Sequence, residues 1–209
     1  MKNFIYQCTN PKCELRFPVH ENSGFNERCP KCLGKTDLVH TSNAAQENRT
    51  ERKTRPGNII VLIDNVRSAF NVGAMLRTAE CFGIETIYLC GITPDISDKN
   101  VQKASIGSEQ YLQVINKNNS LKTVQELIEL GYEIWSLELD DNAIDLNSVK
   151  LGERKIALIV GNERCGVDPA ILALSTQIIQ IPMLGNKNSL NVEVSFGIAI
   201  STISTIPKN

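Results

Sequence analysis

Ile181-Pro182-Met183-Leu184-Gly185-Asn186-Lys187-Asn188-Ser189-Leu190-Asn191-Val192-Glu193-Val194-Ser195-Phe196-Gly197-Ile198-Ala199-Ile200 predicts three things in succession. They are a strand end, a polar loop and an apolar helix. The apolar run 177–182 stops at Pro182, which has no N–H for a sheet ladder and suits a strand terminus. Gly185, Asn186, Lys187 and Asn188 are loop formers. Ser189 is placed as the helix N-cap. Leu190, Val194, Gly197, Ile198 and Ser201 then fall at helical spacing and predict its apolar or small face. A loop between strand and helix leaves free backbone groups at a sheet edge, where open α/β sheets bind small ligands.

Working outward, the preceding chain supplies the rest of such a sheet. Asn58 to Asp64 is a continuous apolar run and predicts a buried strand. Asn71 is placed as the cap of a helix over Val72 to Phe82, closed by Gly83. Strands are predicted over 86–90, 111–115, 132–138, 155–160 and 177–181, with helices over 120–130 and 169–174 and a short helix or turn over 98–106. Strands alternating with helices predict a parallel sheet covered on both faces. Trp135 belongs to that core.

Three loops leave the carboxyl ends of strands. The first spans 64–77 and carries Asn65, Arg67, Asn71 and Arg77. The second is Gly161-Asn162-Glu163-Arg164-Cys165-Gly166, and the third is the stretch quoted above. In a parallel sheet all three converge on one cleft. Neither G-x-G-x-x-G nor G-x-x-x-x-G-K-[ST] occurs, so dinucleotide and P-loop chemistry lose support.

The amino-terminal region differs in kind. Cys8-x4-Cys13 is followed by Cys29-x2-Cys32, with Pro11 and Pro30 turning the chain inside each pair. Four thiolates in two short loops suit a tetrahedral structural Zn2+, which replaces a core too small to fold alone. His20 and His40 are not needed once four cysteines fill the shell. Short β-like pieces flank the pairs at 4–7 and 36–40. Lys2, Lys12, Arg16, Arg28, Lys31 and Lys35 lie around Phe17 and Phe25. They suit contact with looped RNA, or simply a solvated face on a structural module.

The chain thus divides into a zinc-ribbon-like module at 1–40, a polar linker at 41–57 and an α/β domain at 58–209. With 209 residues, 42% of them hydrophobic, there is material for a real core. The net charge of -1 advertises no bulk affinity for nucleic acid, so RNA contacts must be local. No stretch has the length of a membrane span, and the amino terminus lacks a signal-peptide core. A cytoplasmic protein with reduced thiols is expected.

Taken together, the three loops resemble motifs of the SpoU (TrmH-like) family of RNA ribose 2′-O-methyltransferases, of the SPOUT class. Asn71-Val72-Gly73-Ala74-Met75-Leu76-Arg77-Thr78-Ala79-Glu80-Cys81-Phe82-Gly83 is similar to the first motif, Ile159 to Val167 to the second, and Ile181-Pro182-Met183 with Ser189-Leu190-Asn191-Val192 to the third. The resemblance covers about 58–200 and excludes the cysteine module. It implies an α/β domain with a carboxy-terminal trefoil knot, a homodimer with sites near the subunit interface, S-adenosyl-L-methionine as donor, and tRNA or rRNA as partner. It also implies that Gly161, Ile181 and Leu190 contact the donor, with Met183 and Ser189 beside them. Arg77 matches the catalytic arginine; a guanidinium stays protonated, so it polarises the 2′-hydroxyl and holds a phosphate. Asn71 orients the ribose, Glu163 holds Arg77 or another cation, and Asn191 fixes the third loop. The alternative is an RNA-binding protein that keeps the fold without catalysis.

Overall fold

In the computed structural model the described residues are 2–25, 27–43, 58–149, 152, 154–187 and 189–205. The chain forms two compact units, Met1–Glu51 and Arg52–Asn209.

The first unit is a three-stranded antiparallel sheet. β1 (Lys2–Cys8) lies between β2 (Arg16–His20) and β3 (Thr36–Asn43). β3 extends to Asn43, so the first three residues of the expected linker are strand. The remainder of that linker, 44–57, lies outside the described residues. Cys8 and Cys29 are the buried apolar residues of the unit, among those described. A sheet this small cannot hide more, which is why a metal core is the physical expectation.

The second unit is a seven-stranded parallel sheet in the order β6-β5-β4-β9-β7-β10-β8. Its strands are β4 (Ile59–Asp64), β5 (Thr86–Cys90), β6 (Gln113–Lys117), β7 (Glu133–Leu137), β8 (Ile144–Asp145), β9 (Ile156–Val160) and β10 (Gln177–Gln180). Every residue of β4 and β9 is buried, as two-faced coverage of a central strand demands. The helices are α1 (Ala69–Cys81), α2 (Lys99–Ser105), α3 (Ser120–Glu129), α4 (Pro169–Leu172) and α5 (Val192–Thr205). Trp135 is fully buried, as expected. The strand expected over 111–115 begins later, because Ser108–Tyr111 winds into a 3-10 turn first. The two-residue β8 was too short to leave a periodic signal.

Three local readings are corrected. The cap of α1 is Ser68, whose hydroxyl accepts the Asn71 N–H, so Asn71 lies inside the first turn. Helix α5 starts at Val192; Asn191 rather than Ser189 bonds the free Glu193 N–H, at 2.8 Å. Its buried face is also different. Phe196, Ala199, Ile200 and Ile203 enter the core, while Leu190, Val194 and Ile198 are 40%, 43% and 38% exposed. Both faces of this helix are apolar, so periodicity could not choose between them.

The topology positions the site. After β4 the chain moves to β5 on one side; after β9 it moves towards β10 on the other. The crevice between β4 and β9 is therefore the switch point of the sheet, and the cleft described below lies next to it, at the carboxyl ends of β9, β7 and β10. Strand β10 enters between β7 and β8, both of which precede it, and α5 then returns to pack on α1. Close approach of helices is enforced at Gly73. A Cβ there would lie 2.3 Å from the Val101 carbonyl oxygen of α2.

Candidate active site and metal centre

A cleft of about 410 Å³ opens at the carboxyl ends of β7, β9 and β10. Leu137 ends β7 and Glu138 and Leu139 follow it; Gly161, Asn162 and Glu163 follow β9; Ile181 and Met183 follow β10; Ser189, Leu190 and Asn191 lead into α5. All five expected donor contacts, Gly161, Ile181, Met183, Ser189 and Leu190, line this one cleft. Its size is in the usual range for a small-molecule site.

The second loop is held by its own backbone. Asn162 and Gly166 exchange N–H···O bonds of 3.0 Å each way, and the Asn162 side-chain oxygen accepts the Arg164 and Cys165 N–H groups. The turn folds back so tightly that a Cβ on Gly161 would sit 2.3 Å from the Gly166 carbonyl carbon. Glycine at 161 is thus required by the loop itself. Asn162 also donates to the Asn65 carbonyl oxygen at 2.6 Å, which ties this loop to the one after β4. Asn65 has a φ of 57°, a conformation asparagine tolerates better than most residues.

Glu163 bridges the first and second loops. Its carboxylate accepts the Arg67 N–H at 2.9 Å, the Ser68 N–H at 3.0 Å and the Asn71 side-chain amide at 3.1 Å. The Arg67 and Ser68 N–H groups lie at the amino end of α1, where an anion is favoured. Burial pushes the Glu163 pKa up, but the Arg67 and Ser68 N–H groups, its own backbone and Asn71 outweigh it, so the group is held below the ordinary glutamate value. Asn71 in turn accepts from the Asn191 side-chain amide at 3.3 Å. Three of the four expected catalytic residues, Asn71, Glu163 and Asn191, are therefore one hydrogen-bonded chain.

Arg77 stands apart. It is exposed on α1, it does not line the cleft, and no bond or ion pair joins it to Glu163 among the described residues. Within one chain the Glu163 carboxylate is engaged by N–H groups at the start of α1 and by Asn71 rather than by Arg77. Glu138 is the acidic cleft residue that sequence reasoning missed. A carboxylate directly after a strand in a converging set of loops was the available signal.

The cysteine cluster is compact. The Sγ atoms of Cys8, Cys13, Cys29 and Cys32 all lie within 4.8 Å of one another. Cys8 and Cys32 are 3.4 Å apart, and Cys13 and Cys29 are 3.8 Å apart. A tetrahedral Zn2+ with Zn–S bonds of ~2.3 Å needs sulfurs roughly 3.8 Å apart. Glu14 and Leu33, one residue past Cys13 and Cys32, take positive φ, which folds each pair into a tight knuckle. An N–H from the Asn10 backbone lowers the Cys8 pKa, but burial and the three neighbouring sulfurs push it up to about 12. Burial raises that of Cys29, but N–H groups of Cys32 and Lys31 and the neighbouring sulfurs bring it to about 7. Four thiols this close cannot all ionise without a cation among them. Neither His20 nor His40 joins the cluster. Phe17 and Phe25 pack with Tyr6 at centroid distances of 6.3 and 4.7 Å, so they form the module's own aromatic core.

Comparison with known proteins agrees with this geometry. Residues 58–201 match the model of the SpoU rRNA Methylase family. A protein of Borreliella burgdorferi described as "Uncharacterized tRNA/rRNA methyltransferase" is 36% identical over 96% of both chains, and so includes the cysteine module. The tRNA (guanosine(18)-2'-O)-methyltransferase of Escherichia coli (strain K12) is 30% identical over 68% of this chain and 60% of its own length. The solved A. aeolicus TrmH/SpoU tRNA modifying enzyme superposes with a TM-score of 0.66 at 28% identity, over 72% of this chain and 76% of the other. The AdoMet-bound rRNA methyltransferase from Sinorhizobium meliloti shares the fold, with a TM-score of 0.67 at 24% identity over 71% and 56% of the two chains. No helix among the described residues is long and apolar enough to cross a membrane. With its three motif loops gathered at one sheet edge and its match from residue 58 to 201, the chain belongs to the SpoU (TrmH) family of RNA ribose 2′-O-methyltransferases.

Proposed function

We propose that this protein transfers a methyl group from S-adenosyl-L-methionine to the ribose 2′-hydroxyl of a nucleotide in tRNA or rRNA. The observation that carries the reading is the chain Asn191–Asn71–Glu163, which joins all three motif loops beside a cleft walled by Gly161, Ile181 and Leu190. The donor supplies an activated methyl group when bound. Ile181, Met183 and Leu190 offer it apolar walls, while Gly161 and Ser189 offer backbone and hydroxyl contacts. Asn71, Glu163 and Asn191 hold the loops at fixed spacing, which positions the reacting groups. Arg77 polarises the 2′-hydroxyl and holds the adjacent phosphate.

Arg77 does not line the cleft of its own subunit, so the complete site requires a homodimer. The exposed stripe Leu190, Val194 and Ile198 supports one. The interleaving of β10 between β7 and β8 supports the trefoil knot of the family. The cysteine module, which extends to Asn43, holds a structural Zn2+ and joins the catalytic domain through a polar linker. The protein works in the cytoplasm, where its seven cysteines stay reduced. Mass-spectrometric mapping of 2′-O-methyl nucleotides in cellular tRNA and rRNA, with and without this protein, tests the function. One site lost on deletion and restored by the purified protein with donor supports it. An unchanged map, with no transfer by the purified protein, leaves the non-catalytic RNA-binding reading.

A further inference from the structure

We infer that Glu138 is a specificity-determining residue: its charge makes the cleft prefer the cationic methyl donor over the neutral demethylated product. The inference rests on the donor reading of the cleft given above. Glu138 follows β7 directly and lines the same cleft as Ile181 and Leu190. Its carboxylate is fixed, not free to swing. One oxygen accepts the Val167 N–H at 2.8 Å, the other accepts the Leu139 N–H at 3.0 Å, and its own N–H donates to the Ile179 carbonyl oxygen at 3.1 Å. The fit is close enough that a Cβ on Gly166 would lie 2.3 Å from this carboxylate.

The charged residues lining the cleft are Glu138, Glu163 and Arg164. Glu163 is already committed to three donors, two of them backbone N–H groups at the amino end of α1. Glu138 has no ion-pair partner among the described residues, and each of its oxygens keeps a lone pair beyond the one N–H it accepts. With two carboxylates and one guanidinium on its lining, the cleft carries a net negative charge, and Glu138 is the carboxylate not engaged at the amino end of α1. S-Adenosylmethionine carries a sulfonium, an ammonium and a carboxylate, for a net charge of +1. S-Adenosylhomocysteine lacks the sulfonium and is neutral overall. A fixed anion attracts the first more strongly than the second, whose ammonium and carboxylate offset one another. Transfer of the methyl group thus removes the charge that held the ligand, which favours exchange of product for fresh donor.

Isothermal calorimetry on the purified full chain tests this with both ligands. Glu138→Gln keeps the size and one acceptor but removes the charge. It is expected to weaken S-adenosylmethionine binding about three- to ten-fold, the size of one nearby charge, and S-adenosylhomocysteine binding less than about two-fold. Equal weakening of both ligands, or of neither, overturns the inference and leaves Glu138 as a strut for the loop. A second measurement needs no variant. In the unmodified protein the preference for the cationic ligand should shrink between roughly 0.05 and 0.5 M salt. An unchanged preference also overturns it. Binding of neither ligand by the unmodified protein ends the donor reading itself, a result distinct from both.

Discussion

Asn71 donates its side-chain amide to Glu163 at 3.1 Å, across 92 residues of sequence. The same side chain accepts from Asn191 with its oxygen. A carboxylate can only accept, so the amide has one usable orientation, and that orientation leaves its oxygen for Asn191. One asparagine thereby fixes the relative placement of three loops.

Breaking this junction should cost stability as well as activity. Asn71→Asp removes a donor and sets a second carboxylate against Glu163. It should destabilise the fold by about 1–3 kcal/mol in urea unfolding. Glu163→Gln gives the pH test. The folded protein holds the Glu163 pKa below its ordinary value. Its stabilisation is therefore complete above that ordinary value and is lost as pH falls through the folded one. The stability gap between wild type and Glu163→Gln should be full at pH 7, start to narrow below the ordinary glutamate value of ~4.3, and close as pH passes through the lower folded value. A gap that widens on acidification contradicts the assignment.

Arg77 should separate chemistry from folding. It is exposed and, among the described residues, without a bond or ion pair. Arg77→Ala should leave stability within about 0.5 kcal/mol of wild type. Donor binding should persist, while methyl transfer to RNA falls at least a hundred-fold in a tritium-transfer assay. Wild-type transfer by this variant would remove Arg77 from the mechanism.

The cysteine cluster should hold one metal. Purified reduced protein is expected to carry about one zinc per chain by plasma mass spectrometry. Cys8→Ser with Cys29→Ser should abolish it. Chelation should unfold the first unit and leave the thermal transition of the second in place, because structural zinc supplies folding energy to small modules. Metal-free protein with an intact first unit would refute this.

The apolar stripe on α5 should be the dimer seam. Val194→Asp and Ile198→Asp place charges on exposed apolar positions, so the monomer fold should tolerate them. Light scattering should show wild type at twice the chain mass and the double variant at one chain mass. A double variant that stays dimeric would move the seam elsewhere.

Much of this molecule was legible in its chain. Apolar runs at 59–63 and 156–160 read as buried strands, and four cysteines in two short pairs read as one metal site. The loop residues at 71, 163 and 191 carried polar groups at strand and helix ends, where such groups find ligands or one another. What the chain could not show were choices between near-equal local options. Ser68 and Asn71 both suit a helix cap; Asn71 lost because Glu163 engaged its side chain from another loop. Helix α5 is apolar on two sides, and only the position of α1 decided that Phe196 and Ile200 go inward while Val194 and Ile198 stay outside. Glu138 gained its meaning from Val167, its partner 29 residues away. Local pattern sets which elements form, because propensity and burial act over neighbouring residues. Which side chain meets which is set by long-range packing and hydrogen bonding, and that exists only once the strands have taken their order in the sheet.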